Sequence, residues 1–164
     1  MPVISAAQAG GANRCAFLDM IAGSEIGPAL LAASDNGYNV LVGSTAQAPL
    51  LFPSYAAHPD VLNRALNSTA AGRYQILYTF WPYYQKMLAL PDFGPLSQDL
   101  YALQQLRERK ALALIDAGNF AQAVYACNSI WASLTGSPYG QHTNPLDLLQ
   151  GYYTAAGGQV GAGP

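Results

Sequence analysis

Residues 15–27, read as CAFLDMIAGSEIG, constrain the fold more than any other stretch of the chain. At 100° per residue, Phe17, Leu18, Met20 and Ile21 fall on one side of a helix. Glu25 projects from that same side, and Asp19 points the other way. Asn13 is the expected N-cap, and Gly27-Pro28 stops the helix. A carboxylate at the end of an apolar stripe is half-buried, which disfavours its charged form and raises its pKa. That is what a general acid needs near neutral pH. A partly exposed glutamate at a helix terminus would show the same spacing, so the stretch alone leaves both readings open.

A chain of 164 residues predicts one domain with a sizeable core. With 51% hydrophobic and only 10% charged residues, it belongs to the compact globular class. The net charge of −2 argues against nucleic-acid binding, and no basic cluster exceeds Arg107, Arg109 and Lys110. Eleven tyrosines suit a groove for sugars or peptides, or a tyrosine-rich core. Cys15 and Cys127 lack metal or disulfide-framework spacing and read as buried thiols of a reducing compartment. No metal or cofactor is therefore expected. MPVISAAQAGGAN lacks the basic and apolar regions of a signal peptide, and Asp19 and Glu25 interrupt the apolar region 15–34. The expectation is a soluble protein without membrane insertion.

In chain order, residues 1–12 read as a flexible arm, 13–158 as a single domain and 159–164 as a disordered tail. PALLAASDNG reads as a connection, and 38–42 as a short strand between glycines. Residues 44–66, with Pro49, Pro53 and Pro59, read as a loop. The run from 67 to 88 turns helical, with a close approach at Gly72 and Thr79 capping a helix that accepts Pro82 in its first turn. Further helices follow: one capped by Ser97, one ending near Gly118, one capped by Asn119, and one started by Asn144-Pro145 and closed by Gly157-Gly158. Phe120, Val124, Cys127 and Trp131 share a face. The predicted class is α+β, mainly helical, with a small β element after the first helix.

An acid-ending helix, a small β element and then helices form an order that resembles the two-lobed lysozyme superfamily. AFLDMIAGSE, NGYNVLVG, STAAGRYQIL, LSQDLYALQQLRER and CNSIWASLTGSPYGQ, in that order, resemble segments of the phage lambda endolysin family over residues 16–157. The resemblance implies a lysozyme-like fold and a peptidoglycan-cleaving enzyme, and sets Glu25 at the position of the catalytic acid. It also places the GRYQ motif at the cleft, with Gln75 as a polar group near the transition state. Tyr74, Tyr139 and Tyr38 are candidates to present rings to sugar faces, against a core-packing role for each.

Two departures stand out. The relatives read GYDV where this chain has Asn39, and AWSEG where Gly23 precedes Ser24 and Glu25. Asp35, ten residues after Glu25, is the one candidate for a second carboxylate, although a turn-capping role fits it better. Glu108 reads as a solvated ion-pair partner, Asp92, Asp99 and Asp147 as turn or cap residues, and His58 and His142 as structural. A single carboxylate suits a lytic transglycosylase, since ordinary glycosidases use two.

The sequence therefore predicts a monomeric endolysin acting on peptidoglycan glycan strands from the host cytoplasm once the membrane has been breached. The rivals are a hydrolytic muramidase using Glu25 with Asp35 and water, and a non-catalytic wall-binding or virion module that kept the fold.

Overall fold

The computed structural model describes residues 1–140 and 142–161. Its central helix, α2 (Ala12–Ile26), is buried at every position from Cys15 to Gly23 except Asp19. The helix is thus enclosed on nearly all sides, not along one stripe. Even Asp19 has a side chain only 13% exposed, and it pairs with the Met1 ammonium at 3.3 Å.

Residues 1–12 do not form a loose arm. They hold α1 (Ala6–Ala9), closed by a capping box in which Ser5 Oγ accepts from Gln8 N–H and Gln8 Oε1 accepts from Ser5 N–H. Ile4 and Ala9 are buried. Because α2 starts at Ala12, Asn13 lies inside its first turn and is not the N-cap. Its amide serves the other end of the chain: Nδ2 donates to Gln159 O (3.4 Å) and Ile115 O (3.2 Å), and Oδ1 accepts from Gln159 N–H (3.0 Å). Gly161 N–H donates to Gly118 O, so the expected tail is held at least through 161, and 162–164 lie outside the described residues.

The chain divides into two compact units, one of residues 1–24 with 102–164 and one of residues 25–101. The first unit contains α1, α2 as far as Ser24, α6 (Ala111–Asp116), α7 (Phe120–Cys127) and α8 (Leu146–Ala155). Phe17, Phe120 and Tyr153 form its aromatic centre, with ring centroids 4.9–6.2 Å apart. The turn between α6 and α7 needs Gly118, where φ is +73° and a Cβ would meet Gly161 N at 2.3 Å. Asn119 precedes α7 as expected, but the helix ends at Cys127, so Trp131 is buried from beyond it.

The second unit opens with Glu25 and Ile26, then α3 (Pro28–Ala32) where a connection was expected. Pro28 fits the first helical turn because its missing N–H is not needed there. The predicted strand is reduced to isolated antiparallel bridges, Val40 with Leu51, Leu41 with Ala71, Asn63 with Ser68 and Ala71 with Ile76. The expected helix over 67–80 is also absent. Gly72 (φ +78°) and Gln75 (φ +49°) bend the chain into a tight turn closed by the Ala71–Ile76 bridge.

α4 (Trp81–Met87) begins one residue later than the Thr79 cap implied, with Phe80 as N-cap and Pro82 in its first turn. α5 (Pro95–Glu108) starts before Ser97, which instead donates to Asp92 Oδ1 at 2.9 Å. Among the described residues, the fold is mainly helical, and no helix is long and apolar enough to cross a membrane.

Candidate active site

Glu25 sits in the last turn of α2 and is half-buried. The carbonyls of a last turn lack partners within the helix. The carbonyl of Ser24 has a further reason to lack one, because its i+4 residue is Pro28, which has no N–H. Asn144 supplies the donor: its Nδ2 lies 3.1 Å from Ser24 O and 3.0 Å from Ser24 Oγ. Ser24 Oγ is in turn 2.6 Å from Ser133 Oγ. Asn144 was expected to start α8, but Pro145 is the N-cap and the Asn144 side chain is spent on Ser24. This link across 120 residues has no signature in sequence spacing.

Beside Ser24, Gly23 packs against the Tyr152 ring, and a Cβ there would lie 3.0 Å from Tyr152 Cδ2. The ring fills the space next to the glycine, so a larger residue at position 23 requires Tyr152 to move.

In the second unit, Gln75 is half-buried, and its Nε2 donates to Gly72 O at 3.0 Å. Gly72 is approached so closely that a Cβ would meet Gln98 Oε1 at 2.2 Å, as the tight approach predicted there requires. Tyr74 and Tyr38 do not present rings to a ligand, since each is only 1% exposed. Both hydroxyls donate to Asp99 Oδ1, at 2.6 Å from Tyr74 and 2.8 Å from Tyr38. Burial, with the Asp99 charge added, pushes the Tyr74 phenol well above its ordinary pKa.

Asp99 is not a boundary residue. It lies inside α5, is fully buried, and accepts both phenols. The buried Arg73 guanidinium lies 5.3 Å from the Tyr38 ring and 5.9 Å from that of Tyr74, and donates to Asn36 O. The signal for Asp99 was present in the sequence. Asp99, Ala102, Leu103 and Leu106 form an apolar helical stripe carrying one carboxylate, the pattern that singled out Glu25.

Asp35 is exposed and accepts the Tyr55 hydroxyl at 2.5 Å, while its N–H donates to Asn39 Oδ1 at 3.0 Å. Burial and the bond to Asp35 both raise the Tyr55 pKa. Asn39 thus closes the turn containing Asp35 as a neutral acceptor. In the first unit, Tyr139 is 56% exposed, with its hydroxyl donating to Ser129 O at 2.7 Å.

Several other ionisable groups hold structure. Asp92 accepts from Gly94 N–H and Ser97 Oγ, Asp147 accepts from Leu148 N–H, and Glu108 accepts from Gln104 Nε2. His58 is buried, donates through Nε2 to Ile76 O, and accepts Asp60 N–H at Nδ1. His142 is exposed. Cys15 and Cys127 are buried and not joined in a disulfide, Cys15 Sγ donates to Ile4 O, and burial pushes Cys127 up to about 12, so it is no thiolate nucleophile. Among the described residues, no three His, Cys, Asp or Glu side chains gather as a metal site.

A sequence model described as Endolysin matches residues 15–160. The chain belongs to the endolysin family. It is 46% identical to the endolysin of Escherichia phage P2 over 96% of this chain and 98% of that protein. It is likewise 46% identical to the endolysin of Escherichia phage lambda, over 90% of this chain and 93% of that one. The structure of bacteriophage lambda lysozyme complexed with a chitohexasaccharide superposes with a TM-score of 0.83 at 45% identity, covering 92% of this chain and 97% of that one. A second structure of lysozyme from bacteriophage lambda gives a TM-score of 0.79 at 44% identity, with the same coverage. The endolysin fold is therefore that of lambda lysozyme, and its mainly helical character agrees with that likeness.

Proposed function

We propose that this endolysin cleaves the β-1,4 bond between N-acetylmuramic acid and N-acetylglucosamine in bacterial peptidoglycan, by lytic transglycosylation, and so lyses the host cell. The observation that carries the reading is Glu25, half-buried in the last turn of α2. A half-buried carboxyl group at a helix end keeps part of its surface open, from which a proton can pass to a bound glycan. The chitohexasaccharide held by the lambda lysozyme supports a glycan as substrate.

In this reading Glu25 gives its proton to the glycosidic oxygen as the C1–O4 bond breaks. As a carboxylate it then takes the proton of the C6 hydroxyl of the same N-acetylmuramic ring, whose oxygen bonds to C1. The products are a free 4-hydroxyl on one fragment and a 1,6-anhydro ring on the other, with no water consumed. A well-placed intramolecular hydroxyl has an effective concentration of about 10⁵ M or more, so it needs only the proton acceptor that Glu25 has become.

The single-carboxylate mechanism fits the surroundings of Asp35, which carries the Tyr55 hydroxyl, and Asn39, which cannot ionise. Gln75 and Tyr139 remain as substrate contacts in this reading, one a polar group and the other an exposed ring.

The test is Glu25→Gln, which keeps size and hydrogen bonding but has no proton to give. We expect turbidity clearing of outer-membrane-stripped cells to be abolished while circular dichroism stays native. Substantial clearing by the folded variant would remove Glu25 from the reaction. Mass spectrometry of the wild-type digest should show products one water lighter than hydrolytic ones, unchanged by Asp35→Asn. Reducing-end products that disappear with Asp35→Asn would establish the hydrolase instead.

A further inference from the structure

We propose that Asn144, together with Ser133, is a positioning residue for the reaction, setting the backbone from which Glu25 delivers its proton. The inference rests on the reading of Glu25 as the acid. Its basis is the peptide unit joining Ser24 to Glu25. Pro28 leaves the Ser24 carbonyl without its helical i+4 donor, and a last turn with unsatisfied carbonyls frays. Asn144 Nδ2 replaces the missing donor at 3.1 Å.

Asn144 is itself fixed before it reaches Ser24. Its N–H donates to Ser133 O at 2.7 Å, and its carbonyl accepts Thr135 Oγ1 at 2.6 Å. Its side-chain donor therefore projects from a backbone held on both sides. Ser133 acts twice, accepting Asn144 N–H through its carbonyl and meeting Ser24 Oγ through its hydroxyl at 2.6 Å. The segment behind them is tied as well, with Asn128 Nδ2 donating to Thr135 O and Gly136 O.

These bonds converge on the residue directly preceding the acid and engage both its carbonyl and its hydroxyl. Fold stability alone does not call for such a convergence at a helix end already flanked by the buried Ala22 and Gly23. A proton donor calls for it, because displacing a reacting group by about 1 Å costs on the order of 10²-fold in rate.

The experiment compares Asn144→Ala and Asn144→Asp with wild type on soluble glycan-strand fragments of peptidoglycan. Asn144→Asp keeps the shape of the side chain but has no N–H for Ser24 O, so it carries the test if the alanine variant folds poorly. Both are assayed well below their melting temperatures. We expect kcat to fall by roughly tenfold or more with KM changed by less than about twofold, since the lost interaction orients a group and binds nothing. In a Glu25→Gln background the same substitutions should cause no further loss of residual rate.

Wild-type kcat in the folded Asn144 variants overturns the proposal, as does an equal further loss in the Glu25→Gln background. Full activity of Glu25→Gln would bring down the reading of the acid and this inference with it. An inactive Glu25→Gln beside fully active Asn144 variants would bring down the positioning role alone.

Discussion

At the centre of the first unit, Phe17, Phe120 and Tyr153 meet ring to ring, and Cys127, Val124 and Leu149 of the same unit are fully buried. At the centre of residues 25–101 stand a carboxylate and a guanidinium, Asp99 and Arg73, with Tyr38 and Tyr74 between. Among the described buried polar or charged side chains, only Gln105 lies outside residues 25–101. The contrast follows from backbone accounting. The first unit is mostly helix, so its peptide groups satisfy one another along each helix. Between α3 and α4 the second unit has only isolated bridges, and its buried peptide groups must find partners elsewhere.

Side chains supply those partners. Gln98 Nε2 donates to Phe93 O and Tyr38 O, and Gln98 Oε1 accepts Arg73 N–H. His58 holds Ile76 O and Asp60 N–H, Asn63 holds Val42 O, and Arg73 holds Asn36 O. A unit built from irregular chain leans on buried polar side chains as structural elements far more than a helical unit does.

The largest expected effect breaks the apolar side of the comparison. Phe120→Ala removes a ring from the aromatic centre and should cost about 3–5 kcal/mol, through lost burial and an unfilled cavity. Hydrogen exchange followed by mass spectrometry should show protection lost over residues 102–161 first. Equal loss over 25–101 would show that the two units do not respond separately.

Asp99→Asn comes next. It keeps the shape of the side chain but replaces charge-assisted acceptance of two phenols by a neutral amide, at a cost of about 1.5–3 kcal/mol. Protection should fall within 25–101, centred on the turns that carry Tyr38 and Tyr74. A variant as stable as wild type would mean that Asp99 is tolerated in this core and does not hold it together.

These two variants also mark how far the sequence could be read. The helix at 15–26, its stop at Gly27-Pro28, the close approach at Gly72 and a helix starting after Asn119 are all local patterns, and the structure has them, whereas the burial of α2 on nearly all its sides is not local. The strand at 38–42 and the helix at 67–80 were lost because propensity is local, whereas the positive φ at Gly72 and Gln75 answers to tertiary closure. Tyr38 and Tyr74 show the same limit at the site: composition marks a tyrosine as amphipathic but does not say whether its hydroxyl meets a sugar or a buried aspartate. Asp99 sharpens the point further. Its stripe matches that of Glu25, yet Asp99 is fully buried and Glu25 half-buried. Spacing identifies a carboxylate on an apolar face, and only packing decides whether the group stays within reach of a substrate.

The smallest effect tests whether the polar centre carries a pH dependence that the apolar one lacks. Burial, the dominant influence on His58, lowers its pKa below the ordinary 6.5, against a smaller opposing contribution from the Ile76 carbonyl and Asp60. The unfolded chain therefore takes up a proton near pH 6.5 while the folded ring, packed 4.5 Å from Phe93, remains neutral. Between that pH and the lower folded pKa, the unfolded state binds more protons, so stability must fall as pH falls and level off above 6.5. One proton limits the slope to about 1.4 kcal/mol per pH unit. Urea unfolding at intervals from about pH 7.5 down to about 5, above the range where carboxylates dominate, should show that decline. His58→Gln should lie lower throughout, having lost packing and a bond, but flat across the same interval. A wild-type curve equally flat would mean that His58 accepts its proton without unfolding, and the polar centre would then be no more sensitive to pH than the aromatic one.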